Sequence, residues 1–278
     1  MPDLPLAAVI AFDFEKWDEG EEIEIVRGAG IDRIQVYRNY EVATPADTIR
    51  RRLADAGLAA ASLHGYIELE ILDGPAFDLS AADEGVRAAS LEIARHETDF
   101  VHGLGCRDIV VHPVGPGDTE NDTFREATLR GSAAALAEIA EAADVRFLLE
   151  NMPPPMFGQD ARMLRALVDE IDSPHLALTY DSGHANVVGR AVEVIHEMGP
   201  RLGCVHLHDN DGSADDHLLP GMGTLPFEDV ARALAEVGFS EAFLLEIYRD
   251  TWEVRRDLTP ERLAYIEHLR RLASGLEA

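Results

Sequence analysis

Between Val205 and Gly223 the chain reads VHLHDNDGSADDHLLPGMG. A short apolar run delivers His206 and His208 into a loop that returns Asp209, Asp215 and His217. Nitrogen and oxygen donors at this density after a strand have the composition of a metal-binding segment. Six further donors stand at the ends of apolar runs or just beyond them: His64, His112, Glu150, Asp181, His184 and Glu246. Taken singly, each has a plain structural explanation. A lone histidine such as His64 or His112 is more often a hydrogen-bonded rim residue than a ligand. Asp181 and His184 could be a helix cap and its neighbour. Glu150 and Glu246 are harder to explain away, because each follows a buried FLL triplet, where a carboxylate is costly unless it meets an arginine or a metal.

The elements that carry these donors follow a regular order. Apolar runs at Leu6 to Phe12, IDRIQVY, LAAASLH, RDIVVH, VRFLLE, HLALTYD, LGCVHLH and AFLLEIY read as strands, each followed by a helical segment. The pattern predicts helices over EEIEIVRGAG, from Thr44-Pro45 to Gly57, from about Ala81 to Val101 with Ser80 as cap, and over FREATLRGSAAALAEIAEAA. Further helices are expected over ARMLRALVDEI, after SGHANVVG, from Pro226, and over TPERLAYIEHLRRLAS. The prolines of NMPPPMFG exclude a helix directly after the fifth strand.

Strand-first alternation argues for a parallel sheet, and eight repeats in 278 residues argue for one (β/α)8 TIM barrel spanning residues 1–278 as a single domain. A doubly wound open sheet is the alternative, but its G-x-G-x-x-G marker is absent, since residues 13–20 read DFEKWDEG. In a barrel the C-terminal strand ends share one mouth. His64, His112, Glu150, Asp181, His206 and Glu246 would then fall on six successive strands around one cup, an arrangement that separate accidents do not produce.

Composition sets outer bounds. With 52 Asp plus Glu against 24 Lys plus Arg, a formal net charge of -28 and Lys16 as the single lysine, the surface repels polyanions. Acidic residues spread over nearly every helix resemble the proteins of salt-in halophiles. At the molar salt of such cells the net charge says little about partners; nucleic acid is not expected because basic residues are sparse in the mouth loops, and no membrane partner is expected. Cys106 and Cys204 lack metal or redox spacing and read as buried thiols. No apolar run is long enough to span a bilayer, and the N-terminal residues read as a first strand, so a cytoplasmic protein is expected. His96, His102, His175, His196 and His268 read as surface or packing residues, and Tyr180 and Trp17 as packing at the barrel mouth.

LLEN at Glu150, YDSGHA at Asp181 and His184, HLHDNDG followed by DDHLLPGMG, and LLEIY at Glu246 resemble the xylose isomerase-like TIM barrel superfamily over nearly the whole chain. That superfamily includes endonuclease IV and many sugar and sugar-phosphate isomerases and epimerases. In its single-metal sugar enzymes two glutamates, an aspartate and a histidine hold the metal. The resemblance places these on Glu150, Asp181, a strand-seven histidine and Glu246. An H-L-x-D alignment selects His206 and an H-L-H alignment selects His208; we take His206 and expect His208 to face substrate. Endonuclease IV adds ligands that here fall on His64, His112, His184, Asp215 and His217.

The departures lie in GYIELEI after His64, in PVGPGD after His112, and in mouth loops where basic residues are sparse, Arg249 among them. The resemblance thus implies a divalent-metal-dependent isomerase or epimerase of a sugar, sugar phosphate or polyol, working through an enediolate with Glu150 and Glu246 as acid and base. His184, His208 and Arg249 would hold hydroxyls or a phosphate. One ion of Zn, Mn, Fe or Co is expected, and the donors would accommodate up to three. The alternative activity is an endonuclease IV-like phosphoesterase with a two- or three-metal cluster, and a non-enzymatic scaffold is a third reading. A small-molecule carbohydrate is the expected partner, and a homo-oligomer is compatible with the uniformly acidic helical faces.

Overall fold

The structure is a computed structural model that describes residues 3–14, 18–40, 42, 44–66, 76–115, 122–247 and 258–277. Arg249 and Trp17 lie outside these described residues. The strands are β1 (Leu6–Phe12), β2 (Arg33–Arg38), β3 (Ala59–His64), β4 (Asp108–Val111), β5 (Arg146–Glu150), β6 (Leu176–Asp181), β7 (Leu202–His206) and β8 (Phe243–Leu245). They run parallel in the order β7-β6-β5-β4-β3-β2-β1-β8. A single parallel bridge, Leu207 with Leu245, joins β7 to β8 and closes the ring. The protein is a TIM barrel, as the alternation predicts.

Helices cover the outside of the ring: α1 (Glu19–Gly28), α2 (Ala46–Asp55), α3 (Glu84–Leu104), α4 (Asp122–Ala143), α5 (Ala161–Ile171), α6 (Ser182–Val187), α7 (Ala191–Met198), α8 (Phe227–Glu236) and α9 (Pro260–Ala273). Several start on the caps the sequence suggests. Asp160 accepts from the Arg162 and Met163 amides, and Thr259 from the Arg262 amide. The third helix is a correction, because it is capped by Asp83 and not by Ser80. Ser80 Oγ instead donates to Asp78 at 2.8 Å and accepts from Arg125 at 2.7 Å, a buried cluster that ties the segment before α3 to α4. Its hydroxyl was thus taken by a partner 45 residues away that no local pattern reveals. β7 is also shorter than predicted, ending at His206 instead of His208.

Period-two alternation along each strand separates two apolar layers. Ile10, Phe12, Ile34, Val36, Phe147, Leu149, Leu178, Tyr180 and Val205 point outward to the helices. Ala7, Val9, Ala11, Val110, Leu148, Ala177, Cys204 and Leu244 fill the barrel interior. Two residues beyond an interior residue, the next side chain again faces inward. That parity carries Leu148 to Glu150, Val110 to His112, Cys204 to His206 and Leu244 to Glu246. Tyr180, on the outward face, is fully buried and its hydroxyl donates to the Ala191 carbonyl at 2.9 Å. Cys106 and Cys204 are buried free thiols. Among the described residues no helix is long and apolar enough to cross a membrane.

Candidate metal centre

The inward parity gathers the donors at the C-terminal end of the barrel. Glu150, Asp181, His206 and Glu246 are buried and offer ligand atoms within 4.8 Å of one another. His206 Nδ1 lies between the two glutamates, 3.3 Å from Glu150 Oε1 and 3.2 Å from Glu246 Oε2. The register makes this contact, because Asp181 pairs with His206 across β6 and β7, and the amide of Glu246 donates to the Leu207 carbonyl at 3.1 Å across the closing seam.

The remaining predicted donors surround this group. His64 Nε2 and His112 Nε2 stand 3.6 and 3.5 Å from Glu150 Oε2. His184 Nε2 and His217 Nε2 stand 3.3 and 3.0 Å from Asp215 Oδ2. His208 is fully buried, with Nε2 at 3.0 and 3.1 Å from the two oxygens of Asp181. All nine expected ligands are therefore brought together. Asp209, which the sequence pattern includes in the donor-rich loop, turns away from the cup. Its carboxylate accepts from the amides of Asn210, Gly221, Gly223 and Leu225 at 2.8 to 3.1 Å and so organises the loop backbone. Gly223 permits this, since a Cβ there would stand 2.1 Å from the Asn210 carbonyl oxygen and 2.4 Å from Asp209 Oδ1.

Second partners fix the rings. His64 Nδ1 donates to the Gly65 carbonyl at 3.1 Å, His184 Nδ1 to the Asn151 carbonyl at 2.7 Å, and His217 Nδ1 to the Glu246 carbonyl at 2.9 Å. A carbonyl only accepts, so each of these rings keeps its proton on Nδ1 when neutral and turns the lone pair of Nε2 into the cup. Metal-ligating histidines are supported in this way. His217 also holds a left-handed backbone at φ 51, uncommon for a residue with a Cβ and concentrated at functional sites in proteins generally. Asn151 grips the backbone of Asp181 from both sides, accepting its N–H at 2.8 Å and donating to its carbonyl at 3.2 Å.

Charge and burial pull against each other throughout the cup. Burial alone would raise the carboxyls, but His206 beside Glu150 and Glu246 holds both below the usual range, and His184 with His217 does so for Asp215. Burial likewise opposes charge on His184 and His206, yet Asp181 and Asp215 around the one, and Glu246 and Glu150 around the other, push both well above the ordinary histidine value. His208 is held up at about 9 against its burial, chiefly by Asp181. His112 goes the other way, driven down to about 4 by burial despite Glu150.

The chemistry of the donor set fits a divalent cation. Glu150 Oε2, His206 Nε2, His208 Nδ1 and Asp215 Oδ1 are buried atoms without a hydrogen-bond partner, and dense carboxylates with carbonyl-backed imidazoles are what a cation would satisfy.

One residue of the site was not predicted. Tyr37, on β2, donates its hydroxyl to Glu246 Oε1 at 2.5 Å and stacks on His64 with ring centroids 4.4 Å apart. Its signal was parity: it lies two residues past the interior Gln35, in the position that β3, β5 and β7 fill with His64, Glu150 and His206.

The fold and this cup define a barrel with a buried His/Asp/Glu centre at its mouth. The chain belongs to the xylose isomerase-like TIM barrel family, whose model matches residues 23–274. An uncharacterized protein of Methanocaldococcus jannaschii is 33% identical over 195 residues, covering 66% of each chain. The L-ribulose-5-phosphate 3-epimerase UlaE of Escherichia coli is 26% identical over 180 residues, covering 64% of this chain and 62% of that protein. A D-tagatose 3-epimerase-like protein of known structure superposes with a TM-score of 0.74 at 22% identity, covering 94% of this chain and 98% of the other. That superposition speaks to the fold alone.

Proposed function

We propose that this protein is a divalent-metal-dependent epimerase or isomerase of a small carbohydrate, a ketose, ketose phosphate or related polyol. The observation that carries the reading is the placement of Glu150 and Glu246 on either side of one imidazole, each buried and each completing a four-donor set with Asp181 and His206. The similarity to an epimerase acting on L-ribulose 5-phosphate supports the same class.

Glu150, Asp181, His206 and Glu246 would hold the ion, which supplies Lewis acidity toward a carbonyl oxygen and its neighbouring hydroxyl. Glu150 Oε2, without a hydrogen-bond partner, is placed to take the proton from the carbon beside the carbonyl. The resulting enediolate would be reprotonated from the opposite side by Glu246, which must first take up a proton from solvent water and whose other oxygen is anchored by Tyr37. Return of the proton to the opposite face of the same carbon gives epimerisation, and delivery to the neighbouring carbon gives isomerisation. His184 and Arg249 are the groups we assign to substrate hydroxyls or a phosphate.

The test is a panel of ketoses and ketose phosphates with and without chelator, read by exchange of the substrate C–H with solvent deuterium. Loss of turnover to the epimer or isomer is expected in both Glu150→Gln and Glu246→Gln, by about 10²-fold or more. Full turnover in both variants would remove the acid/base assignment.

A second reading is favoured by the carbonyl-backed rings of His64, His184 and His217, which are more than one four-donor ion requires. In that reading two or three ions occupy the cup and the activity is phosphoester hydrolysis. Elemental analysis separates the two. One ion per chain supports the epimerase, whereas two or three, lost on changing His112, Asp215 or His217, support the phosphoesterase.

A further inference from the structure

Asp181 sits where two segments interlock. α6 starts directly after it, and Ser182 Oγ both donates to the His208 carbonyl at 2.7 Å and accepts from the His208 N–H at 2.9 Å. Asn210 Nδ2 donates to the Gly183 carbonyl at 3.0 Å. Between these clasps the His208 ring lies directly over Gly183. A Cβ at that position would stand 2.0 Å from His208 Cε1 and 2.6 Å from Nδ1. The backbone at Gly183 is helical, so space and not conformational freedom is what calls for glycine here. On its other side the ring stacks on His217, with centroids 3.9 Å apart and planes 15° apart.

His208 is built differently from three of the other imidazoles of the cup. His64, His184 and His217 each give Nδ1–H to a backbone carbonyl and turn Nε2 to the carboxylates. Nδ1 of His208 has no partner, and Nε2 reaches both oxygens of Asp181. Nε2 of a ring in this setting has the geometry of a donor to the Asp181 carboxylate. The Asp181 carboxylate also accepts the His184 amide at 2.7 Å through Oδ1 as the cap of α6.

We propose that His208 is a positioning residue that fixes the Asp181 carboxylate for the metal centre, and that Gly183 serves to admit its ring; the assignment rests on the metal reading above. The His208 Nε2–H and the His184 amide together hold the plane of the carboxylate, whose Oδ2 lies 3.9 Å from His206 Nδ1. The resemblance assigns His208 to the substrate, but its complete burial under Gly183 and against His217 puts it behind Asp181 instead.

The test uses the full chain stripped of metal and titrated with Co²⁺, following affinity by calorimetry, ligand geometry by visible absorption, and Tm. Wild type should bind. His208→Ala should weaken binding by about 10- to 100-fold, the usual effect of removing an outer partner of a ligand, and alter the Co²⁺ spectrum. Gly183→Ala should do the same by displacing the ring. In the double variant the new methyl enters the space that the ring left, so Tm should recover toward wild type while Co²⁺ affinity stays low. His208→Gln, whose amide can still donate to Asp181, should restore part of the affinity.

Unchanged Co²⁺ affinity and spectrum in His208→Ala overturn the proposal, and so does recovery of affinity together with Tm in the double variant, which would mark a packing role only. If Gly183→Ala does not fold, His208→Ala decides alone. A wild-type chain that binds no divalent ion overturns the metal reading and the positioning role with it, an outcome distinct from tight binding that ignores position 208.

Discussion

Tyr37 gives a hydroxyl partner to Glu246, the carboxylate proposed to carry a proton in the reaction. An O–H donated to a carboxylate at 2.5 Å is a short, charge-assisted bond. It both orients Glu246 and withdraws basicity from it. Tyr37→Phe keeps the ring that stacks on His64 and deletes only the bond. We expect kcat to fall about 10-fold with metal content and KM little changed, checked by steady-state kinetics beside elemental analysis; lost metal would mean the hydroxyl acts through the ligand set instead. Protons and metal also compete in this cup. In the metal-free protein His184 and His206 stay protonated above the ordinary histidine range, and His208 up to about 9, while Glu150, Glu246 and Asp215 stay ionised below theirs.

The signs then follow. The raised histidines contribute stability that is complete below their unfolded value of about 6.5 and is lost as pH rises toward and through the folded values. The lowered carboxylates contribute stability that is present above about 4.5 and is lost only well into acid. His112, lowered to about 4, acts the other way and costs stability as pH falls below about 6.5, so thermal melts in chelator should peak near pH 6 and decline both toward pH 4 and toward pH 9. Metal affinity should move the opposite way, rising with pH because each ligand must shed its proton. An affinity that does not change between pH 6 and 8 by calorimetry would contradict the protonated cup.

At the scale of elements, the loop between β7 and α8 is held by Asp209, whose two oxygens accept four amides. Asp209→Asn turns two accepting lone-pair sites into a donor facing donors. Unpaired buried amides cost about 1–3 kcal/mol each, so a loss of roughly 3 kcal/mol is expected, with far-UV dichroism preserved and Asp215 and His217 withdrawn from the cup. Urea melts and metal content check both parts.

The same loop marks the limit of what sequence shows. Strand order, barrel closure and the ring of donors were legible, because parallel strands alternate with period two and end in chemically expensive residues. Asp209 read as one more donor, since a carboxylate that binds amides and one that binds metal look alike in sequence. Ser80 read as a cap because its partner Arg125 is distant in the chain. Tyr37 went unnoticed because tyrosine in a strand is ordinary, and only parity together with closure places it beside Glu246.

For the whole molecule, a net charge of -28 is the dominant long-range force. Self-repulsion of this kind weakens the compact state and is screened as the Debye length falls from about 10 Å at 0.1 M salt to 3 Å at 1 M. Tm should therefore climb with KCl up to molar concentration, by roughly 2–4 °C for each 1 kcal/mol of repulsion removed. A flat or falling Tm across that range would show that long-range repulsion contributes little to the stability of this chain.

β8 pairs with β1, Leu6 against Phe243, and reaches β7 through one bridge just below His206 and Glu246. A ring cannot close before its last member arrives. During synthesis Tyr37, His64, Glu150 and Asp181 emerge from the ribosome long before Glu246, and no partial barrel holds the full set. A nascent chain released before β8 would present an open sheet with an incomplete, strongly charged mouth. Under the metal reading the four-donor set is complete only once β8 has joined, so the last strand of the barrel would both lock the fold and supply the final donor of its centre.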